Sequence, residues 1–205
     1  MSWLDDLRAV QRNDPAARHV VETLLCHVPL HAIWIHRTAH WLHASLGIPL
    51  VPRLLSVLAR WWTGIEIHPG ARIGRGLFID HGTGIVIGET AEIGDGCTLF
   101  HNVTLGGTGK QSGKRHPTLE DGVYVGTGAV LLGPIRVGRR ARIGANSFVF
   151  MHDVPADCTA VGNPARIVKL HGERVERELP PTVLPEHSYP IPDGASLGAA
   201  PRGRP

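Results

Sequence analysis

The chain has 205 residues, a formal net charge of +3 and only 5% aromatic residues, which fits one large domain or one domain with an appendage. Its cations are mostly arginines spread along the sequence, which argues against a nucleic-acid-binding stripe, and prolines and arginines interrupt the apolar stretch 46–62, which argues against a membrane span. Asp5 and Asp6 interrupt any apolar run near the start, so we expect no signal peptide, and three widely spaced cysteines predict reduced thiols in a cytoplasmic protein.

Residues 1–65 are predicted to form an α-helical domain. Asp14 followed by Pro15 predicts a helix start, with aspartate as the N-cap and proline at the first helical position. Apolar residues at helical spacing, broken by glycine and proline, predict three helices. They run over about 14–26, 29–45 and 52–62. Because the end of a solenoid exposes its core, we expect this block to pack across the first coil as a cap.

A six-residue repeat organises the next segment, residues 66–170. A period of six fits neither an amphipathic helix nor an alternating strand. It is typical of a parallel β-helix, in which each hexapeptide forms one short strand and one corner, with its apolar anchor inside a narrow prism. The anchors are Ile67, Ile73, Ile79, Ile85, Ile87, Ile93, Leu99, Leu105, Leu119, Val125, Leu131, Val137, Ile143 and Val149.

Two segments of the chain depart from this repeat. Residues 106–117 are polar and rich in glycine, so we expect them to form a loop that is extruded from the β-helix. Residues 171–205 are rich in proline, glycine and charge, which predicts a flexible C-terminal tail. The sequence therefore divides into a helical cap, a β-helix domain with one extruded loop, and a tail.

Four segments resemble serine O-acetyltransferases: Ile-Glu-Ile-His-Pro-Gly-Ala at 65–71, Ile-Asp-His-Gly-Thr-Gly-Ile-Val-Ile-Gly-Glu-Thr at 79–90, Val-Thr-Leu-Gly-Gly-Thr-Gly-Lys at 103–110 and Arg-His-Pro at 115–117. A fifth, Val-Gly-Asn-Pro-Ala-Arg-Ile-Val at 161–168, resembles the closing coil of hexapeptide-repeat acyltransferases in general. The resemblance implies a left-handed parallel β-helix. It also implies acetyl transfer from acetyl-CoA to the hydroxyl of L-serine, which gives O-acetyl-L-serine and CoA for cysteine biosynthesis.

His81 is the candidate catalytic base. A serine hydroxyl is a poor nucleophile at neutral pH, so a base must accept its proton as it attacks the thioester. His81 lies two positions after the anchor Ile79, at a corner that should face outward; a solvated surface histidine fits that position too. The resemblance puts His81 on the family's base. Glu66, fifteen residues earlier, could meet it from the neighbouring coil as its carboxylate partner, although many family members carry Asp there.

The resemblance also implies partners for the charged groups of serine. Arg115 and His116, at the end of the extruded loop, match the family's carboxylate-binding pair. Asp80 and Asp14 match its carboxylates around the amino group, and a purely structural helix N-cap is the alternative role of Asp14.

Acetyl-CoA is expected as a co-substrate, without a permanently bound cofactor or metal. We assign its binding to Gly107, Thr108, Gly126 and Lys169. Lys169 and a set of arginines could reach the CoA phosphates, and a solvated basic face explains them equally well. These arginines are Arg136, Arg139, Arg140 and Arg142. Cys97 is expected to point inward as a small residue, and no other residue resembles an acyl carrier, which favours direct transfer in a ternary complex.

Three rival functions stay open. The nearest is acetyl transfer to another hydroxyl acceptor, such as homoserine or a sugar. A zinc carbonic anhydrase of the γ type has the same fold and uses a histidine pair five residues apart, whereas His81, His101 and His116 are spaced twenty and fifteen apart. A non-catalytic scaffold does not explain the presence of a base, a carboxylate partner and an Arg-His pair together.

The resemblance also implies partners beyond the two substrates. L-cysteine, with sulfur in place of the serine oxygen, is expected to bind the serine site as a competitive inhibitor. Family members pack three prisms with active sites between neighbours, and a longer helical region joins two trimers into a hexamer. With about 64 residues before its β-helix, this chain is expected to form a homotrimer. Some members insert a terminal isoleucine into cysteine synthase; this sequence ends in Pro205, so we expect no such complex.

Overall fold

The computed structural model describes residues 3–109 and 112–183. Within these residues the chain forms four α-helices followed by sixteen β-strands. The helices are α1 (Trp3–Asn13), α2 (Val20–Cys26), α3 (Val28–Leu46) and α4 (Leu50–Thr63). The strands are β1 (Glu66–Ile67), β2 (Arg72–Ile73), β3 (Phe78–Asp80), β4 (Val86–Ile87), β5 (Glu92–Ile93), β6 (Thr98–Phe100), β7 (Thr104–Gly106), β8 (Thr118–Leu119), β9 (Tyr124–Val125), β10 (Val130–Leu132), β11 (Arg136–Val137), β12 (Arg142–Ile143), β13 (Phe148–Phe150), β14 (Cys158–Gly162), β15 (Ala165–Leu170) and β16 (Glu173–Glu178). In this described part, no helix combines the length and the apolar character that crossing a membrane requires.

Glycine and proline set the ends of the two longer helices. Helix α3 has Pro29 in its first turn, where the missing N–H costs no helical hydrogen bond. Gly47, with φ of 62°, caps the C-terminus of α3, and Gly64, with φ of 71°, caps that of α4. A side chain disfavours this left-handed conformation, which makes glycine the usual residue at such a helix end. The second and third predicted helices are confirmed to within two residues at each end.

The predicted helix start at Asp14 is wrong. Helix α1 ends at Asn13, α2 begins at Val20, and Asp14 lies in the turn between them. The Oδ1 atom of Asp14 accepts the main-chain N–H of Ala16 at 2.8 Å. This local hydrogen bond stabilises a turn that competes with helix nucleation. Asp14 is therefore a turn residue and does not cap α2.

The strands confirm the predicted parallel β-helix. They enter three sheets in rotation. Sheet A contains β1, β4, β7, β10 and β13; sheet B contains β2, β5, β8 and β11; sheet C contains β3, β6, β9 and β12, followed by β14, β15 and β16. Strands of adjacent coils pair in parallel, with Glu66 opposite Val86 and Ile67 opposite Ile87. Each coil up to β12 therefore adds one strand to every sheet, and the corners of successive coils lie above one another.

The anchors fill the interior of the prism. Burying a branched side chain of this size contributes about 1.5–3 kcal/mol. In sheet A, one stack of anchors from adjacent strands, with no member more than 4% exposed, consists of Ile67, Ile87, Leu105, Leu131 and Val149. Ala71, Ala91, Ala129 and Ala141 are buried at corners, where larger side chains would not fit. The core is therefore a continuous apolar column rather than a central cluster.

The loop at 106–117 leaves the stack without breaking it. Strand β7 ends at Gly106 and β8 begins at Thr118. Strand β8 still pairs in parallel with β5, with Glu92 opposite Thr118. Between these two strands, the described residues 107–109 and 112–117 contain no strand.

The predicted flexible tail at 171–205 is wrong in its first part. Strand β16, Glu173–Glu178, pairs antiparallel with β15, and Leu179 is only 7% exposed. The sequence of β16 is mostly charged, so it shows no apolar periodicity, and the hydrogen-bond ladder to β15 is what orders it. The segment that carries the expectation about cysteine synthase, residues 184–205, lies outside the described residues.

A buried ion pair holds α1 and α3 to the first coil. Asp6 of α1 is fully buried and accepts hydrogen bonds from Arg37 Nε at 2.6 Å and Nη2 at 2.7 Å. Asp6 also accepts the main-chain N–H of Gly76, and Arg37 donates to the carbonyl oxygens of Ile73 and Gly74. One carboxylate and one guanidinium thus join two helices to the corner between β2 and β3.

We predict that Arg37→Met lowers the free energy of unfolding by about 3 kcal/mol, because it leaves the buried carboxylate of Asp6 without its cation. For a chain of this length that is a fall of about 6–12 °C in the melting temperature, measured by circular dichroism. Arg75→Met is the matched control, since Arg75 binds Asp95 at 2.9 Å on the surface, where a pair contributes about 1 kcal/mol or less. Equal small shifts in both variants would contradict the role of the buried pair.

Candidate active site

His81 projects from the corner between β3 and β4, as the repeat predicted. Its side chain is 76% exposed, and its Nε2 lies 3.7 Å from Asp80 Oδ1. The backbone of His81 has φ of 61°, a left-handed conformation that costs a non-glycine residue about 1–2 kcal/mol. Gly82 follows with φ of 77°, and a Cβ there would lie 2.5 Å from Ile65 Cδ1. The tight corner presses its backbone onto the core and turns the imidazole outward.

The ring of His81 has a second neighbour, His101, at the equivalent corner of the next coil. Their centroids are 5.8 Å apart and the rings are nearly perpendicular, at 86°. The Nδ1 atom of His101 is buried and has no hydrogen-bond partner within the described ranges 3–109 and 112–183. The sequence places the two histidines twenty residues apart, and the stacking of coils brings them into contact.

Glu66 lies on the coil next to His81, but its carboxylate is engaged elsewhere. The main-chain N–H of Glu66 donates to Ile85 O at 2.9 Å, which puts β1 beside the corner that carries His81. The carboxylate forms an ion pair with Arg60 of α4 at 2.7 Å. Among the residues that the structure describes, Asp80 has the carboxylate that lies within ion-pair distance of the His81 ring. The role of Glu66 as partner of the base stays a prediction.

Asp14 and Asp80 approach the same neighbour, His27. Burial lowers the pKa of His27, and the nearby carboxylates of Asp14 and Asp80 act in the opposite direction. The ring of His27 packs near Phe78 of β3, with centroids 6.2 Å apart. The fold therefore brings the turn after α1 close to the end of β3, where Asp80 lies. His27 carries no motif in the sequence that would have singled it out.

Arg115 and His116 lie at the other end of β4. The guanidinium of Arg115 forms an ion pair with Glu89, and this hydrogen-bonded cation lowers the pKa of the Glu89 carboxyl. His116 is only 8% exposed, and burial, assisted by Arg115, lowers its pKa to about 4. The ring lies against Gly88, where a Cβ would come within 2.0 Å of His116 Cδ2. Glycine at position 88 is what leaves room for the imidazole.

Sequence reasoning missed Glu89 and Thr90, although both belong to the motif at 79–90. Thr90 Oγ1 accepts the main-chain N–H groups of Arg115 at 3.0 Å and His116 at 3.2 Å. Lys114 Nζ donates to Thr90 O at 2.7 Å. No spacing rule could have found these contacts, because they join residues 24 to 26 positions apart across the extruded loop.

The two groups of predicted site residues lie at opposite edges of sheet A. His81 and Asp80 precede β4, whereas Glu89 and Thr90, which hold the Arg115–His116 pair, follow it. The extended residues between these corners, 85–88, span about 10 Å at ~3.3 Å per residue. The single chain therefore does not assemble the predicted serine-binding residues at one point.

The predicted CoA-binding residues are likewise divided. A Cβ on Gly107 would lie 3.3 Å from Arg115 O and 3.4 Å from His116 Nε2, so Gly107 belongs to the loop side, where Thr108 follows it. Gly126 follows β9 in sheet C, against Ala145. Lys169 lies on β15, opposite Thr159. Their role in binding CoA stays a prediction.

The arginines that sequence reasoning left open between phosphate binding and a basic face have protein partners. Arg136 binds Glu120, Arg139 lies 3.8 Å from Asp121, and Arg140 binds Asp157 at 2.7 Å. The guanidinium of Arg142 lies over the ring of Tyr124, 4.1 Å from its centroid. These contacts join adjacent coils along the prism, which favours the interpretation as a structural basic face.

The positions of the candidate metal ligands were compared within residues 3–109 and 112–183. They contain no group of three or more histidine, cysteine, aspartate or glutamate side chains that could hold a metal ion. Of the three histidines considered for a zinc carbonic anhydrase, His81 and His101 are neighbours, but His116 is at the opposite edge of sheet A with its Nδ1 bound to Thr90.

A parallel β-helix of hexapeptide repeats, with a helical cap and an extruded loop, is consistent with the hexapeptide-repeat acyltransferases, and the relatives of the chain decide the assignment. No protein-family model matches the chain. It is 57% identical to the serine acetyltransferase of Synechococcus elongatus over 171 residues, which cover 83% of this chain and 69% of that protein. The chain belongs to the serine acetyltransferase family.

Solved structures agree with this assignment. The serine acetyltransferase of Neisseria gonorrhoeae in complex with serine superimposes with a TM-score of 0.76 at 43% identity, covering 80% of this chain and 66% of that one. A serine acetyltransferase in complex with cysteine gives a TM-score of 0.78 at 42% identity, covering 82% and 65%. The chain thus spans about two thirds of the length of these solved proteins.

We predict that His116 stays neutral well below the usual range of histidine. Burial disfavours the charged imidazolium, so the NMR signals of His116 should be constant from pH 8 to 5 and should change only near its pKa of about 4. The variant His116→Gln identifies the signals by their loss. A titration centred near 6.5, the ordinary histidine value, would contradict the buried geometry of this ring.

Proposed function

We propose that the protein transfers an acetyl group from acetyl-CoA to the hydroxyl of L-serine, giving O-acetyl-L-serine and CoA, as the first step of cysteine biosynthesis. The observation that carries the proposal is the imidazole of His81, turned outward at a tight corner beside the Asp80 carboxylate in a chain of the serine acetyltransferase family. A base at a rigid corner suits an acyl transfer in which the acceptor must lose a proton as it attacks.

In the proposed reaction His81 accepts the proton of the serine hydroxyl as its oxygen attacks the thioester carbonyl. The tetrahedral intermediate then collapses, the C–S bond breaks, and the imidazolium returns the proton to the departing CoA thiolate. A carboxylate beside the ring stabilises the imidazolium. The Asp80 carboxylate lies 3.7 Å from the ring. Glu66 takes this role if its carboxylate leaves the ion pair with Arg60 and contacts His81 when the substrate binds.

Direct transfer fits the two buried thiols of the chain. Burial raises the pKa values of Cys97 and Cys158 to about 11. A thiol that stays protonated at neutral pH is a poor nucleophile, so neither residue suits the role of an acyl carrier between the two substrates.

Serine is recognised by its two charges. The guanidinium of Arg115 and the imidazole of His116 bind the carboxylate, and Asp80 and Asp14 bind the ammonium group. The ion pair between Arg115 and Glu89 orients the guanidinium before the substrate arrives. L-cysteine offers the same two charges, so we propose that it competes with serine for this site, as the cysteine complex of a relative suggests for that protein.

The active site lies between neighbouring copies in this proposal. The outward positions of sheet A are mostly apolar: Val86, Val130, Leu132, Phe148 and Phe150. Packing three prisms through this face would bury these side chains. It would also set the His81 edge of one copy beside the Arg115 edge of the next, and so unite the two groups that a single chain keeps apart.

We predict that His81→Ala lowers turnover by roughly 100-fold or more, the usual contribution of a positioned general base. The assay follows CoA release with L-serine, homoserine and a sugar as acceptors. His171→Ala, at an exposed histidine far along the chain, is the control and should leave turnover unchanged. Near-normal turnover in His81→Ala would contradict the role of His81 as the base. Release of CoA with homoserine or a sugar, but not with serine, would contradict serine as the substrate.

The shared site predicts complementation between two inactive variants. His81→Ala and Arg115→Ala should each be inactive alone, but random mixed trimers contain sites with both intact residues at about one quarter of their interfaces. Co-expression should therefore restore about a quarter of the wild-type activity. If one chain supplied the whole site, mixing would restore nothing.

Light scattering on both variants is the control for this experiment, since each must remain trimeric. If a stable hexamer is observed instead, we expect the two trimers to contact each other through the outward face of α4. The exposed apolar side chains of this face include Leu50, Leu54, Leu58, Trp61 and Trp62.

A further inference from the structure

The hydroxyl group of Thr90 has all its hydrogen-bonding positions engaged by two residues of the extruded loop. Its oxygen accepts the main-chain N–H groups of Arg115 at 3.0 Å and His116 at 3.2 Å. A hydroxyl oxygen has two acceptor lone pairs and one proton, so these two bonds occupy both lone pairs. The proton is then directed to His116 Nδ1, which lies 2.9 Å from Oγ1.

The main chain of Thr90 confirms the direction of that bond. Its N–H lies 3.2 Å from His116 Nδ1, and an amide N–H can only donate. Nδ1 is therefore an unprotonated acceptor, and its single lone pair is shared by the two donors of Thr90. A neutral imidazole carries one proton on one of its two nitrogens, so in this ring the proton is on Nε2.

We propose that Thr90 is a positioning residue for serine binding, which holds His116 in the tautomer that presents Nε2–H to the serine carboxylate. The inference rests on the proposed function, in which His116 and Arg115 bind that carboxylate. A ring of the opposite tautomer would present a lone pair at Nε2 and would repel a carboxylate instead of binding it.

Thr90 also fixes where this part of the loop lies. Three consecutive loop residues bind it: Lys114 Nζ donates to Thr90 O at 2.7 Å, and the amides of Arg115 and His116 donate to its hydroxyl. Thr90 lies three residues after the end of β4 in the coil stack, so its hydrogen bonds fix the two serine-binding residues relative to the β-helix. Neighbouring Glu89 orients the Arg115 guanidinium in the same way.

The test compares Thr90→Val with Thr90→Ser in the full-length protein. Valine keeps the branched shape but removes the hydroxyl, so two loop amides lose their acceptor and Nδ1 keeps only the main-chain donor. Serine retains the hydroxyl. We expect Thr90→Val to raise the KM for serine by roughly 10-fold or more, with the KM for acetyl-CoA unchanged. Thr90→Ser should restore the wild-type KM for serine.

The second measurement is the tautomer itself, from ¹⁵N NMR of the histidine rings. The wild-type protein and Thr90→Ser should show His116 protonated at Nε2. Thr90→Val loses the shorter contact to Nδ1, at 2.9 Å, and keeps only the main-chain donor at 3.2 Å, so a fraction of its rings should become protonated at Nδ1. This measurement needs no turnover, so it separates the two proposals. A wild-type protein that does not acetylate serine but has the Nε2–H tautomer would overturn the proposed function and leave the control of the ring by Thr90 intact.

Three results would overturn the inference. The first is an unchanged KM for serine in Thr90→Val. The second is a KM for acetyl-CoA that rises together with that for serine, because the hydroxyl would then support the loop as a whole. The third is His116 protonated at Nδ1 in the wild-type protein.

Discussion

The structure depends on one constraint: each strand must find its hydrogen-bond partners on the coil before and the coil after it. The strands are two or three residues long over most of the β-helix, too short to be stable alone, and their N–H and C=O groups have no other partners in the interior. The ladder and the apolar column enforce the same register, since a slip of one residue would turn an anchor outward. Corners must therefore repeat at the same places from coil to coil.

That regularity explains where chemistry can occur. Inside the prism lie apolar anchors and small residues, and on the flat faces side chains contact the helices, neighbouring strands or solvent. Corners are the positions at which a side chain projects while its backbone is held by two neighbouring coils. His81 uses such a corner, and Thr90 uses the next one along the same coil. The positioning of reactive groups is thus a direct consequence of stacking, and needs no separate rigid scaffold.

The extruded loop does not follow the hexapeptide repeat. The position at which it rejoins the β-helix must therefore be fixed by side chains, because the hydrogen-bond ladder between strands does not reach it. Thr90, Gly88 and Glu89 perform this task from the corner after β4. The surface arginines act in a similar way between coils at another place, through pairs such as Arg140 with Asp157. Each exposed pair contributes little to stability, whereas the buried pair of Asp6 and Arg37 decides how the helical cap sits on the first coil.

The sequence by itself determined the β-helix, the extruded loop at 106–117, two of the helices and the outward position of His81. All of these follow from local periodicity and from the conformational limits of glycine and proline, which a single chain segment expresses. It also carried the resemblance to serine acetyltransferases, because that resemblance lies in short contiguous motifs. The exact partners of the site residues were not in these signals.

Only the tertiary structure decided which side chains meet. It placed Asp14 in a turn, where its side chain accepts the main-chain N–H of Ala16 and competes with a helix. It ordered β16 through backbone pairing that leaves no apolar pattern. It also paired Glu66 with Arg60 and His116 with Thr90. Apart from the local turn at Asp14, these contacts join residues of different elements, and many competing partners have suitable charge or hydrogen-bonding groups. The choice among them is made by distance in the folded chain, which no spacing in the sequence encodes.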